Sequence, residues 1–531
     1  MTHRERMLAV AKGEMPDVIP YAPRIDLWYH ANKQRGTLPE LYREATCDGI
    51  ARAEGWALHK VILEYIEHGE DAILDRLLGV YRIPSQGFLS HLPEEVERCV
   101  MKKGDRMEVE YHTPKGKVRG AFVYSSEMRR SGVSIPWISE HVLKAPDDYE
   151  PVGYIFEHMR IESNPEGYLR WAEPIGEDGL PVAYALTAGS PMHHVMKILM
   201  DINQFYYQHR DHEKRMLQLA ERIGVYFRKV LDVVAEGPAE IVLIGANFDD
   251  TITYPPFFRD HILPWLQEAS EKLHRHGKLM LCHCDGENQG LMDYLSESGM
   301  DIAEAICPYP MTHVTLAEYY SRWSENITIF GGIPSNMLLA ESATYDEFEA
   351  YLDSLFKVVV PGKRLILGIA DTAPPDAVFE RLIRIGQRVE KEGRLPIGGG
   401  APGPISERQL VVATARVPLE VIEDDIFRFV KEDVFNGSHL EIKRHVQELL
   451  TKGVNARDIL KLGMLSVMEV IGERFRTGEV FIPEVLLSAR VMHEGLLVLE
   501  PHFAGGQKEA SGKVFIGTVR GDLHDIGKNM V

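Results

Sequence analysis

Short apolar runs at 18–22, 182–186, 241–245, 279–283, 302–306, 327–330 and 365–369 alternate with longer amphipathic stretches such as 257–276 and 345–360. Runs this short suit strands, whereas the longer stretches repeat their apolar positions at helical spacing. Strand and helix in alternation predict a parallel sheet, because parallel neighbours need a crossover connection and cannot be joined by a tight turn. The expected fold class is therefore α/β. Closure into a TIM-type (β/α)8 barrel is the favoured form, since several runs end in polar or small residues suited to one common face: Asn247 and Asp249, His283 and Asp285, Cys307, Gly331 and Gly332, and Asp371. A doubly wound open sheet is the alternative. The stretch 106–124 breaks the rhythm: Met107, Val109 and Tyr111 alternate with charged residues and Pro114-Lys115-Gly116 makes a turn, which predicts an inserted hairpin.

The glycine and proline run at 398–404 interrupts any regular pattern and reads as a linker. It separates a barrel over 1–397 from a helical bundle over 405–510. In the bundle, Leu440, Ile442, Val446, Leu449 and Leu450 form one apolar stripe ended by Gly453. Asn455 can cap a second helix that buries Ile459, Leu460, Met464, Val467, Met468 and Ile471, and Pro483 opens a third. From 511 to 531 a strand, a glycine-bearing loop and an incipient helix look like the beginning of a Rossmann-like domain.

A chain of 531 residues, 45% hydrophobic, is long enough for two or three domains. Its 79 acidic against 59 basic residues, with no clustered basic stripe, argue against nucleic acid as a partner. The absence of a long apolar run or a signal-like N-terminus argues against a membrane and for a cytoplasmic protein. Five cysteines are too few for a disulfide framework. Three of them, Cys282, Cys284 and Cys307, lie close to His283, Asp285 and Glu304, a combination that suits a metal. His283 and Asp285, two apart at a strand end, point to one side, and Cys282 and Cys284 point to the other as small core residues. Glu304 and Cys307 are candidates to complete the shell, with Asp371 in reserve; a metal-free hydrogen-bonded pair contacting substrate is the other reading. His193, His194, Asn247, Asp249 and Tyr254 are secondary candidates for lining a pocket.

Two blocks of the C-terminal part, Phe481-Ile482-Pro483-Glu484-Val485 and Gly517-Thr518-Val519-Arg520-Gly521-Asp522 leading into His524-Asp525-Ile526-Gly527, carry a resemblance. In this order they resemble the cobalamin-binding modules of methionine synthase and of the methanol and methylamine corrinoid proteins. The resemblance implies cobalamin as cofactor and His524 as the lower ligand of its cobalt. Asp522 then orients the imidazole and raises its basicity, as carboxylate partners of ligating histidines do. Asp525 and Gly527 lie against the cofactor, the glycine letting its tail approach the backbone. Phe481 and Glu484 sit near its upper, methyl-bearing face. Complete modules of this kind continue well beyond the histidine motif, so a chain stopping at Val531 is expected to be truncated and to hold cobalamin poorly.

The first part is similar to the uroporphyrinogen decarboxylase superfamily, and within it to the corrinoid methyltransferases. The resemblance rests on 273–286, on Ile302-Ala303-Glu304-Ala305-Ile306-Cys307-Pro308 and on Leu367-Gly368-Ile369-Ala370-Asp371-Thr372-Ala373-Pro374. Relatives acting on coenzyme M hold zinc with His-x-Cys-Gly; here the tetrad is His283-Cys284-Asp285-Gly286, with Asp285 in place of the cysteine. That exchange favours a more Lewis-acidic zinc, held by His283, Asp285, Glu304 and Cys307, suited to an ether, hydroxyl or amine leaving group rather than to a thiol. His283, Asp285 and Asp371 are the expected catalytic residues. The implied activity moves a methyl group from a small methylated donor to the corrinoid, served by a downstream acceptor methyltransferase and a reductive activator of the corrinoid. A tetrapyrrole decarboxylase is the weaker alternative, because the segment 19–30 offers one arginine, Arg24, where decarboxylases carry several. A non-catalytic corrinoid-binding regulator is the third.

Overall fold

The computed structural model describes residues 1–61, 70–359, 362–395 and 425–503. Six strands, Ala183–Leu186, Ile241–Ala246, Leu279–His283, Ile302–Ile306, Thr328–Ile333 and Leu365–Ile369, lie side by side in chain order in one parallel sheet. They are buried along almost their whole length, which is why they read as continuous apolar runs rather than alternating ones. Tyr184, Ile241, Leu243, Leu281, Ile302, Phe330 and Ile366 pack into one core together with Met7 and Val10 of the first helix. Helix Glu213–Glu236 shows the matching periodicity: Met216, Leu219, Ile223, Phe227, Val230 and Val234 recur every three or four residues and are buried.

The α/β class is as the sequence indicates, but the expected strand at 18–22 is absent. Val18 and Tyr21 make isolated bridges instead. Pro20 has no N–H to donate, so no regular ladder can run through it. The edges of the sheet are nevertheless occupied. Leu367 N donates to Pro20 O at 2.8 Å and Ala22 N to Leu367 O at 2.9 Å; Ala57 N reaches Tyr21 O at 2.9 Å, and Val182 N reaches Lys60 O at 3.1 Å. Among the described residues the parallel sheet thus has six regular strands, not eight, with two extended segments at its edges.

The predicted hairpin is present as Arg106–Thr113 paired with Gly116–Val123, but it belongs to a larger antiparallel sheet. Glu97–Lys103 flanks it on one side and Trp137–Glu140 on the other. Met107, Val109, Tyr111, Val118 and Phe122 form its buried face.

The chain divides into two compact units, Met1–Asp201 with His212–Pro404, and Ile202–Asp211 with Ile405–Val531. In the second unit the described elements include Ile202–Asp211, Arg428–Asn436, Ile442–Thr451, Ser466–Arg476 and Ile482–Leu499. Val430, Val434, Ile442, Val446, Ile459, Met464, Ile471 and Val491 form its core. Asn455 caps as expected, its Oδ1 accepting from Arg457 N at 2.9 Å. Leu440 does not join the apolar stripe; it precedes the helix and is 78% exposed. Helix Ile202–Asp211, which nothing in the sequence assigned to the bundle, is tied to it by Asp211, paired with Arg490 at 2.7 Å. The Arg490 guanidinium also lies 4.8 Å from the Tyr207 ring centroid. Among the described residues no helix is long and apolar enough to cross a membrane. The linker at 398–404 and the segment 511–531 lie outside the described residues.

Candidate active site at the strand ends

Parallel register sets Glu304 directly beside His283. The His283 Nδ1 and Glu304 Oε2 are 2.5 Å apart, and Glu304 Oε1 meets His59 Nε2 at 2.8 Å, so one carboxylate serves two imidazoles. On its other side, His283 Nε2 faces Asp285 Oδ1 at 3.4 Å and Asp371 Oδ1 at 3.5 Å. Arg24 Nη1 donates to Asp371 Oδ1 at 2.7 Å while its Nε and Nη2 hold Asp26 at 2.9 and 3.2 Å. Asn247 Nδ2 donates to both oxygens of Asp285, at 2.8 and 2.6 Å.

Charge explains why this cluster holds together. Burial alone would discharge the His283 imidazole, but the carboxylates of Asp285, Glu304 and Asp371 outweigh it and push its pKa up to about 9. Burial equally opposes ionisation of Glu304, yet His283 and His59 hold its carboxyl far below the ordinary range. Burial raises Asp285, with the neighbouring Asp371 adding to it. Lys197, half-buried, is pushed down to about 8 by desolvation and donates to Thr187 O and Ala246 O at 3.1 and 3.3 Å.

The backbone is bent to make this possible. Asn247, Ala305 and Asp371 take left-handed φ values of 62°, 62° and 53° at the ends of three sheet strands. Asn and Asp tolerate that region; for Ala305 it costs about 1–2 kcal/mol. At Ala305 the pairing with Thr328–Ile333 also shifts register, between Glu304 and Ile306. Beside the cluster is a cavity of about 380 Å³ lined by Arg24, Asp26, His59, Tyr29, Lys33 and Lys60 among others.

Of the expected site residues, His283, Asp285, Glu304 and Asp371 come together. Cys307 is near enough to feel the carboxylates of Asp285, Asp371 and Glu304, but no hydrogen bond to them is seen: its Sγ donates to Ala305 O at 3.3 Å, and burial first, then these carboxylates, push its thiol up to about 12. Cys282 and Cys284 are buried core residues, as expected. The proposed zinc ligands fit poorly, since both Glu304 oxygens and His283 Nδ1 are already bonded to one another or to His59. Among the described residues, the three His, Cys, Asp or Glu side chains that bring ligand atoms mutually within 4.8 Å are Glu97, Cys99 and His112, in the antiparallel sheet. His193 and His194 turn inward: Gly189 N donates to His193 Nδ1 at 3.1 Å, and His194 Nε2 is 2.9 Å from Leu78 O. Asp249 organises its own loop, its carboxylate accepting from Thr251 N and Glu287 N, and the Tyr254 ring stacks on Phe257. Sequence reasoning missed His59, Asp26 and Lys197, and counted Arg24 only as evidence against a decarboxylase.

In the second unit, Glu484 Oε2 accepts from Phe481 N at 2.6 Å and closes the N-terminus of Ile482–Leu499. Burial raises the Glu484 pKa. Asp522, His524, Asp525 and Gly527 lie outside the described residues. On the bundle surface, Leu462 and Leu465 are 48% and 44% exposed.

Residues 427–500 match the family described as B12 binding domain. Over 104 residues the chain is 35% identical to a corrinoid protein of Desulfitobacterium hafniense, covering 19% of this chain and 48% of the relative. Over 111 residues it is 32% identical to the trimethylamine corrinoid protein of Methanosarcina barkeri, covering 20% of this chain and 51% of the relative. The chain thus spans about half the length of these curated relatives. Among solved structures, a methyltransferase from Methanosarcina mazei aligns at 15% identity with a TM-score of 0.43, covering 74% of this chain and 99% of its own.

Proposed function

We propose that this chain is a corrinoid-dependent methyltransferase in which the α/β unit binds a small methylated donor at its strand ends and a corrinoid held by the C-terminal part accepts the methyl group. The match of residues 427–500 to a B12 binding domain carries the reading. The exposed Leu462 and Leu465, three apart on one helical segment, suit a flat, largely apolar ring system. By resemblance His524 would ligate the cobalt and Asp522 would orient its imidazole, and Asp525, Gly527 and Phe481 are the other residues that would hold the corrinoid. Glu484 contributes by fixing the helix that begins at Phe481. When bound, cobalamin supplies a cobalt centre able to accept a methyl group.

The chain's own residues deal with what the methyl group leaves behind. A departing oxygen or nitrogen gains electron density and is stabilised by a proton. His283 holds such a proton on Nε2, toward Asp285 and Asp371, while Glu304 keeps the imidazole charged from Nδ1. Arg24 fixes Asp371 and borders the cavity where the donor sits. The reading includes no zinc. It extends to the edges of the sheet: with the segments around Tyr21 and Ala57–Lys60 counted as strands, the architecture is an eight-membered barrel. A downstream acceptor methyltransferase and a reductive activator, in the cytoplasm, complete the cycle.

The test is reconstitution with cobalamin, reduction to Co(I) and a scan of donors by visible spectroscopy, beginning with methylated amines, after the trimethylamine corrinoid protein that the C-terminal part resembles, and continuing to methoxyaromatics and methanol. Formation of methyl-cobalt that His283→Gln slows at least ten-fold is the expected result. Failure of every donor, together with decarboxylation of uroporphyrinogen, overturns the reading.

A further inference from the structure

We propose that the antiparallel sheet carries a second, surface site for one borderline divalent transition-metal ion of the zinc class, formed by Glu97, Cys99 and His112. It stands apart from the strand-end cluster in its residues and does not rest on the methyltransferase reading.

The ladder itself assembles the donors. Glu97 pairs with His112 and Cys99 with Glu110 across neighbouring antiparallel strands. Directly opposed residues point to one face, and so do residues two apart along a strand. Nitrogen, sulfur and carboxylate oxygen are therefore brought within 4.8 Å of one another on a rigid backbone. Cys99 is a free, exposed cysteine, so an ion can reach it from solvent without unfolding anything. A thiolate, an imidazole and a carboxylate make a mixed set that suits zinc-class ions and is too soft for calcium or magnesium.

The orientation of His112 is a separate observation that points the same way. Its Nε2 is bonded to Glu110, while its Nδ1 faces Glu97 Oε2 at 3.6 Å. Histidines that ligate metals have one ring nitrogen held by a carboxylate and the other turned to the ion, and here Glu110 is that carboxylate. The gap to Glu97 is too long for a hydrogen bond. Two donors on a tetrahedral zinc, with bond lengths of about 2.0–2.3 Å, stand about 3.3–3.6 Å apart, which the Glu97–His112 pair already matches, and Cys99, within 4.8 Å of both, completes the set by moving its side chain inward. On the same surface the next strand sets Lys117 opposite His112 and Arg119 opposite Glu110, and the Lys117 ammonium lies 3.8 Å from Glu110 Oε1. The fourth position opens to solvent. An ion there links the edge strand Glu97–Lys103 to its neighbour by bonds additional to the backbone ladder.

The experiment is titration of the reduced, metal-free and corrinoid-free full chain with Co²⁺, followed in the near ultraviolet for the thiolate-to-cobalt band, then displacement by Zn²⁺. One equivalent should bind with that band. Cys99→Ser should abolish the band, His112→Gln should weaken Zn²⁺ at least ten-fold, and Glu110→Gln should weaken it by about ten-fold through loss of orientation. Cys307→Ser and His283→Gln should leave both the band and the affinity unchanged. Circular dichroism of Cys99→Ser confirms the fold, which an exposed side chain leaves intact. A band that survives Cys99→Ser, a band lost in Cys307→Ser, or no thiolate band at 1 equivalent of Co²⁺ overturns the proposal.

Discussion

His283 and His112 each sit on a strand beside a glutamate, yet their surroundings assign them opposite chemistry. His283 is buried, with Glu304 on one nitrogen and two aspartates facing the other, so every direction around the ring favours a retained proton. His112 lies on an exposed ladder, with Glu110 on one nitrogen and a carboxylate and a thiol standing off the other. A histidine crowded by carboxylates in a dry site becomes a cation and a proton source. A histidine with one nitrogen engaged and the other facing a loose donor pair is arranged as a ligand. Composition alone does not separate the two, since both clusters contain His, Glu and Cys nearby in sequence.

The comparison breaks most sharply at Glu304. Glu304→Gln removes the carboxylate that His283 and His59 share, and stranding a buried partner costs about 3–5 kcal/mol, which a lowered urea midpoint should report. No comparable loss should follow from Glu110→Gln. The pH dependence of stability is next. The folded pKa of His283 stands near 9 against an ordinary value of 6.5. Its stabilising contribution is thus complete below pH 6.5 and is lost as pH rises through about 9, amounting to about 3 kcal/mol. His194 acts oppositely: burial depresses it to about 4, so its contribution is present above 6.5 and fades as pH falls toward 4. Urea unfolding across this range should give a maximum near pH 6.5, and His283→Gln should flatten the alkaline arm alone.

Asn247→Ala is the third probe. It removes two hydrogen bonds to Asp285 and puts a residue ill suited to φ 62° at the strand end, for about 1–3 kcal/mol. The smallest effect belongs to the other region: Cys99→Ser should leave the midpoint in metal-free buffer unchanged and remove only the stabilisation that added Zn²⁺ confers.

Much of the strand-end cluster is legible in the sequence because local order carries it. The apolar runs at 279–283 and 302–306 are the observed strands, and parallel register then joins His283 to Glu304. His59 and Arg24 are not legible, because they arrive from extended segments with no periodicity and meet Glu304 and Asp371 across 245 and 347 residues of chain. The strand Glu97–Lys103 escaped for a different reason. It is an edge strand, exposed at nearly every position, so it lacks the alternation that reveals a half-buried strand. Without that strand, Glu97 and Cys99 have no visible relation to His112. In the bundle, Leu440 misleads because an apolar residue just before a helix looks like part of its stripe. The histidine motif around His524 remains a sequence-based expectation.

The helix Ile202–Asp211 has a consequence for how the protein is made. Its ion-pair partner Arg490 lies 279 residues downstream. At a synthesis rate of about 5–20 residues per second, that helix leaves the ribosome on the order of half a minute before Arg490 does. Phe205 and Tyr206, buried in the finished protein, spend that interval without the bundle they belong to. Truncation between the two units should therefore leave the nascent chain with an orphaned helix, a ready point of attachment for chaperones.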